Sequence, residues 1–289
     1  MEKWKQRLIK FFRGFLVFLE ILLVIVAITV LCVSVFISGK NPSMSLDWVP
    51  NQKVMPVAEF ETGGKVLIRN VRNVSYKTVD DYTVGYYDRE YDTNKLKKVW
   101  FALSPFTGEI GIAHAFLSFE FEDDKFVSIS VEVRKEKGET YSPVNGLLRD
   151  YELIYVIGDE RDVIRLRTDQ YKDKVFLYPL KMDKEKGAEL FRAMLMRANG
   201  LANTPEFYNT ITSNCITNFI APIDQIIPGL IPWNDHRVLL PEYLDQYFYE
   251  LGLIDTNLSF EKAREKYLIN DRVKKYADDP DFSRKIRGE

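Results

Sequence analysis

Ala113-His114-Ala115-Phe116-Leu117-Ser118-Phe119-Glu120-Phe121 and Phe126-Val127-Ser128-Ile129-Ser130-Val131-Glu132-Val133-Arg134-Lys135-Glu136 decide the fold. Both stretches alternate apolar with other residues, and a period of two is the mark of a strand. Ala115, Leu117, Phe119 and Phe121 share one face, as do Val127, Ile129, Val131 and Val133. The opposite faces carry His114, Ser118, Glu120 and Glu122, then Ser128, Ser130, Glu132 and Arg134. Glu122-Asp123-Asp124-Lys125 supplies the turn of a hairpin. Both apolar sets must lie on one side of the sheet. All their numbers are odd, so opposed residues have an even sum and the loop has an odd length. A loop of 122–124 pairs Phe121 with Lys125 and sets His114 opposite Glu132. A loop of 123–125 sets His114 opposite Arg134, with Glu132 diagonal to it. The pattern allows both. Phe116 and Phe126 interrupt the polar face, so that face is expected to be covered too.

Outward from this hairpin, short strands are expected at 66–70, 74–77, 99–103, 153–158, 163–167 and 175–180. The stretch 82–91 is rich in Tyr and Asp and shows no period. A helix is expected at 184–199, with Leu190, Phe191, Met194, Leu195 and Ala198 at helical spacing and Gly200 as its stop. Further helices are expected at 215–227, 243–252 and 260–267. The charged tail from Arg272 is expected to be loosely ordered.

Residues 15–37 are almost continuously apolar, with Glu20 the only charge, and 23 residues suffice to cross a bilayer as a helix. Lys3, Lys5, Arg7, Lys10 and Arg13 precede it against the single Glu2. The positive-inside rule then puts the N-terminus in the cytoplasm and the rest of the chain outside. A cleaved signal peptide is the alternative. The expected division is a basic cytoplasmic segment 1–14, a transmembrane helix 15–37, a linker 38–52 and an extracytoplasmic domain 53–289. The net charge of −2 argues against a dedicated nucleic-acid binder.

The chain has two cysteines. Cys32 lies inside the apolar run, and Leu31 before it does not suit a lipobox. Cys215 therefore stands alone outside the run, where Ser213 and Asn214 are good caps for a helix beginning there. A thiol at a helix N-terminus is expected to have a lowered pKa. A nucleophilic cysteine needs a base, and the base an orienting partner. Of the two histidines, His114 lies on a strong strand and His236 in a loop. A strand histidine, a helix-start cysteine and a carboxylate on the next strand form the papain-like solution. Here these are His114, Cys215 and Glu132, with Ser130 the substitute third member. Arg134, Arg165 or Arg167 could meet a lipid phosphate, because a guanidinium fits that group. Two histidines and one usable cysteine lack zinc-ligand spacing, and no phosphate-cradling glycine motif is present, so neither metal nor cofactor is expected.

His114-Ala115-Phe116-Leu117-Ser118-Phe119, Ser128-Ile129-Ser130-Val131-Glu132-Val133-Arg134, Tyr151-Glu152-Leu153 with Glu160-Arg161-Asp162, and Pro205-Glu206-Phe207-Tyr208-Asn209-Thr210 with Asn214-Cys215 together resemble one bacterial family. It is the family of the Lnb N-terminal periplasmic domain, and the likeness runs from about Asp47 to the Asp281-Phe282-Ser283-Arg284 tail. The resemblance implies a lipoprotein N-acyltransferase with a cysteine and a histidine at its centre. It also implies an α+β, permuted papain-like domain of the NlpC type, with an antiparallel sheet and a cysteine-bearing helix behind the membrane segment. One departure is expected: no further domain follows the tail. The implied donor is a membrane phospholipid, and the implied acceptor a diacylated lipoprotein or another amine. Asn214 and Arg134 are supporting residues in this reading, and the location is the bacterial inner membrane with the domain in the periplasm or outside. A cell-envelope cysteine peptidase or amidase, and a non-catalytic envelope scaffold, are the alternatives.

Overall fold

The computed structural model describes residues 2–289. It falls into two compact units that divide after Pro42. The first is the helix α1, Glu2–Ser38, long and apolar enough to cross a membrane, with a mean hydropathy of 3.1 over its most apolar window.

The second unit is a mixed α+β domain. Its strands are β1 (Val57–Phe60), β2 (Lys65–Arg72), β3 (Ser75–Tyr76), β4 (Tyr82–Thr83), β5 (Tyr86–Asp92), β6 (Leu96–Pro105), β7 (Ala113–Phe121), β8 (Phe126–Arg134), β9 (Glu152–Gly158) and β10 (Phe176–Pro179). Its helices are α2 (Pro143–Leu147), α3 (Glu160–Arg165), α4 (Lys184–Asn203), α5 (Cys215–Ile226), α6 (Leu244–Glu250), α7 (Phe260–Tyr267), α8 (Asn270–Lys275) and α9 (Phe282–Arg287). The main sheet runs β1-β2-β9-β8-β7-β6-β10, with β5 also on β2, while β3 and β4 pair apart from it. Its ladders are antiparallel except for the Arg72–Gly158 contact between β2 and β9.

The β7–β8 hairpin takes the first of the two allowed registers. Phe116 pairs with Ser130 and Glu120 with Phe126, and the Phe121 N–H donates to Lys125 O. The odd-numbered face of this hairpin packs with α4, α5 and α6 in the larger core, where Leu117, Phe119, Phe191 and Phe219 lie. The even-numbered face is covered as expected. Trp100 and Phe116 meet Val163, Ile164, Val273, Phe282 and Ile286 there in a second cluster.

Several expectations are corrected. Residues 163–167 lie in α3 and the turn after it, not in a strand. Asp159 caps the helix by accepting from the Arg161 N–H at 3.0 Å, and Asp162 is buried against Arg72. Alternation over five residues cannot separate a strand from a helix turn that carries one apolar face. α4 passes through Gly200 to Asn203, because Leu201 extends the buried stripe by another turn. The stretch 82–91 does contain strand: β5 pairs with β2, and Tyr91 is buried against Phe121 and Phe191. The tail is docked, not loose, since Val273, Phe282 and Ile286 fill the second cluster. Trp48 and Gln52, in the expected linker, are buried in the second unit.

Candidate active site

β9 begins the route to Cys215. The Leu153 N–H donates to Glu206 O, and the Tyr208 N–H to Tyr151 O, so the incoming chain is held beside the strand. Asn209 then turns it, its side chain accepting from the Ile211 and Thr212 N–H groups. Asn214 stops the turn and starts the helix. Its Oδ1 accepts from the Ile216 and Thr217 N–H groups at 2.9 and 3.0 Å, and Thr217 Oγ1 accepts from the Asn214 N–H at 2.9 Å. This reciprocal box fixes Cys215 as the first residue of α5. Its own N–H is not taken up by the cap.

β7 and β8 part beyond Phe116 and Ser130. Their pairing ends there, while β7 stays on β6 as far as Ala113 and β8 stays on β9 as far as Arg134. A cavity of about 360 Å³ opens at this parting. That lies within the usual span for small-molecule sites, about 300–1,000 Å³. Ala113, His114, Val131, Glu132 and Val133 line it from the strands, and Cys215 lines it from α5. Tyr141, Tyr208, Phe106 and Tyr171 add aromatic wall. The histidine and the cysteine come from opposite faces of the sheet. His114 stacks on Phe116 of the second cluster, whereas Cys215 belongs to the larger core.

Ser130, not Glu132, touches the histidine. His114 Nε2 and Ser130 Oγ lie 2.7 Å apart, and Ser130 Oγ donates to Glu132 Oε1 at 2.9 Å. Glu132 Oε1 stands 4.0 Å from Nε2. The serine has one proton and spends it on a carboxylate that can only accept. Its oxygen must therefore accept from Nε2–H, which leaves Nδ1 as the bare nitrogen. Among the described residues no hydrogen bond joins Cys215 to His114. The Ala115, Ile216 and Cys215 N–H groups favour the thiolate form of Cys215.

The charges in the site follow from burial and from two arginines. Burial pushes the Cys215 thiol up, against Ala115 N–H, Arg167 and the helix-start N–H groups. The lowered thiol pKa expected from the helix start is thus corrected, because desolvation outweighs the backbone donors. His114 is pushed down to about 3, first by burial and then by Arg167, against the pull of Glu132. Burial would raise Glu132, but Arg72, His114 and Arg167 hold it at about 2. The resting site is a neutral thiol, a neutral imidazole and a carboxylate. Among the described residues no three His, Cys, Asp or Glu side chains are grouped as a metal would require.

This arrangement predicts an acid-sensitive fold. From its ordinary value of 6.5, His114 falls to about 3 in the folded chain, so the unfolded chain binds the extra proton between those limits. Stability is complete above pH 6.5 and declines as pH falls toward 3, by about 3 kcal/mol at pH 4. Glu132, ordinarily at 4.5 and here about 2, adds to the loss in the same direction below 4.5. The Tm should fall from pH 7 to pH 4, and His114→Gln should flatten that slope above pH 4.5. An unchanged slope in the variant would exclude His114 as its source.

A model of the Lnb N-terminal periplasmic domain family matches residues 82–242, more than half of the chain. The chain belongs to this family. No curated protein and no solved structure matches it. Membership makes this Lnb-family protein a periplasmic, envelope-associated one, and α1 fits a single membrane pass. The matched span holds Cys215, His114, Ser130 and Glu132.

Two arginines line the Lnb-family site, and of these only Arg72 carries no signal in the sequence. Arg72 lines the cavity and forms a buried, two-pronged pair with Asp162, at 2.8 and 3.0 Å. Nothing in the local sequence marks it, because its partner lies 90 residues away. Arg167 also lines the cavity, from a π-helical turn at Leu166–Tyr171 that continues α3. Turns of this kind recur at functional sites. Arg134 lies elsewhere: its guanidinium donates to Gln52 O and Lys53 O and covers the Trp48 ring, pinning the start of the domain.

Proposed function

We propose that this protein is a membrane-tethered cysteine acyltransferase on a permuted papain-like scaffold, using a phospholipid as donor. The observation that carries the reading is the shared cavity. A cysteine at a capped helix start and a histidine with a fixed tautomer line the same space. His114 Nδ1 takes the Sγ proton, and Sγ attacks the ester carbon of the lipid. The C–O bond breaks, the alkoxide leaves with the proton from His114, and a thioester remains. An amine, such as the N-terminal cysteine of a diacylated lipoprotein, attacks that thioester. Its proton passes through His114 back to Sγ as the C–S bond breaks. The Cys215 N–H, free of the cap, is placed to donate to the developing oxyanion. Catalytic hydrogen bonds often tighten only once substrate is bound, which accommodates the absence of a Cys215–His114 bond here.

A lipid substrate is favoured by the apolar surface beside the cavity. Ile110, between the lining residues Glu109 and Ile112, is 88% exposed. Leu240, which packs on Gly111, and Leu239 are exposed with it. In this reading the enzyme works at the inner membrane, with its N-terminus in the cytoplasm. The charged wall of Glu109, Lys135 and Asp173 favours a second reading, a cell-wall peptidase or amidase. The two separate in one assay. The purified protein should move acyl chains from phosphatidylglycerol to a diacylated lipopeptide and should release no amino groups from cell-wall peptides. The reverse result selects the peptidase.

Ser130 and Glu132 orient the base in this scheme. Ser130→Ala and Glu132→Gln should each lower kcat about 100-fold with KM little changed. A fall in KM-dependent binding with kcat intact would instead assign both residues to substrate contact.

A further inference from the structure

Most of the cavity's charges are already matched. Arg72 is held by Asp162. Glu132 accepts from Ser130. Asp173 accepts from the Thr107 N–H. Arg167 differs. Among the described residues its guanidinium makes no hydrogen bond or ion pair, and its contacts are with the ring faces of Phe106, at 5.6 Å, and Tyr171, at 5.1 Å. Two aromatic rings orient a planar cation without occupying its five N–H donors. Of the arginines that could meet a phosphate, Arg134 is spent on main-chain oxygens and Arg165 on Asp169. Lys135 also lines the cavity. Arg167, however, lines the cavity with Cys215, His114 and Glu132, and its charge bears on the protonation of all three.

We propose that Arg167 is the anion-binding residue of the cavity and that it holds the phosphodiester of the donor lipid while Cys215 engages the ester. The identity of the ligand rests on the acyl-transfer reading; the existence of an anion site does not. A guanidinium pairs with two phosphate oxygens at once, and the phosphate of a glycerolipid lies a few bonds from its ester carbonyls. Burial first and the Arg167 charge second oppose protonation of His114, and a bound phosphate cancels the second of these. Loading the site thus makes the imidazole a better proton acceptor.

The test uses the full chain with Cys215→Ala, which cannot turn over, and measures binding calorimetrically. The probes are dihexanoyl-phosphatidylglycerol, dihexanoylglycerol and inorganic phosphate. The phosphatidylglycerol should bind at least about 10-fold more tightly than either of the others. Adding Arg167→Met should weaken it about 10–100-fold, and Arg167→Lys should recover part of the loss. Lys135→Met should leave binding within about twofold. Unchanged binding in Arg167→Met overturns the proposal. Equal binding of inorganic phosphate and the lipid overturns the lipid assignment. Binding that depends on Arg167, in a protein whose Cys215 never carries an acyl group, would sustain the anion site and sink the acyltransferase reading.

Discussion

Incubated with phosphatidylglycerol and no amine acceptor, the protein should gain the mass of one acyl chain. That adduct should be released by neutral hydroxylamine, as thioesters are. Cys215→Ser and Cys215→Ala should give no hydroxylamine-sensitive adduct and should lose transfer by at least about a thousandfold, as expected when a nucleophile is removed. The fold should survive both changes. Cys215 adds one small side chain to a core whose neighbours Ile216, Phe219 and Ile220 are themselves buried, and the Asn214 cap does not involve its sulfur. His114→Ala should slow adduct formation without moving the site of attachment. An adduct that persists in Cys215→Ala would sink the mechanism. An inert wild-type protein, with both donor and acceptor present, would favour the scaffold reading.

Arg287→Met should be the most destabilising single replacement outside the site. The Arg287 guanidinium is fully buried, donating to both carboxylate oxygens of Glu160 at 2.6 and 2.8 Å and lying over the rings of Trp100 and Phe126. Ser118 joins the same group, bonded to Glu160 and to Arg287. Removing the cation leaves the Glu160 carboxylate buried and unpaired, at a cost of about 3–5 kcal/mol. In a domain of this size that is about 6–20 °C in Tm. The double replacement of Glu160 and Arg287 by Met should recover most of the loss, because no buried charge remains. A single variant within about 2 °C of the parent would mean that water reaches the site when the arginine is gone.

The hairpin was legible because each of its strands has one buried face, and a period of two then fixes register to two choices. What selected between them, the Phe121–Lys125 closure, depends on turn geometry that the pattern does not encode. The helix at Cys215 was legible through its cap. Asn214 serves there, while Ser213 bonds to Asn218 instead. The pairing of Ser130 with His114 was half legible. Register brings Glu132 across from the histidine, but the parting of β7 and β8 puts the shorter Ser130 within reach and leaves the carboxylate to act through it. The desolvation of Cys215 was not legible, and it reverses the expected shift of the thiol. The buried pairs Arg72–Asp162 and Glu160–Arg287 escaped notice for one reason: the partners lie far apart in sequence, and local patterning cannot tell a buried charge from a solvated one.

Glu160 is joined to the growing chain 127 residues before Arg287. At about 5–20 residues per second of synthesis, that interval is about 6–25 s. Through it the carboxylate has no cation, and the apolar face that carries Trp100, Phe116 and Phe126 has no α9 over it. The domain therefore emerges with a side that α3 and α8 cover in part and α9 finishes closing. Chaperones and proteases of the envelope have those seconds in which to find it.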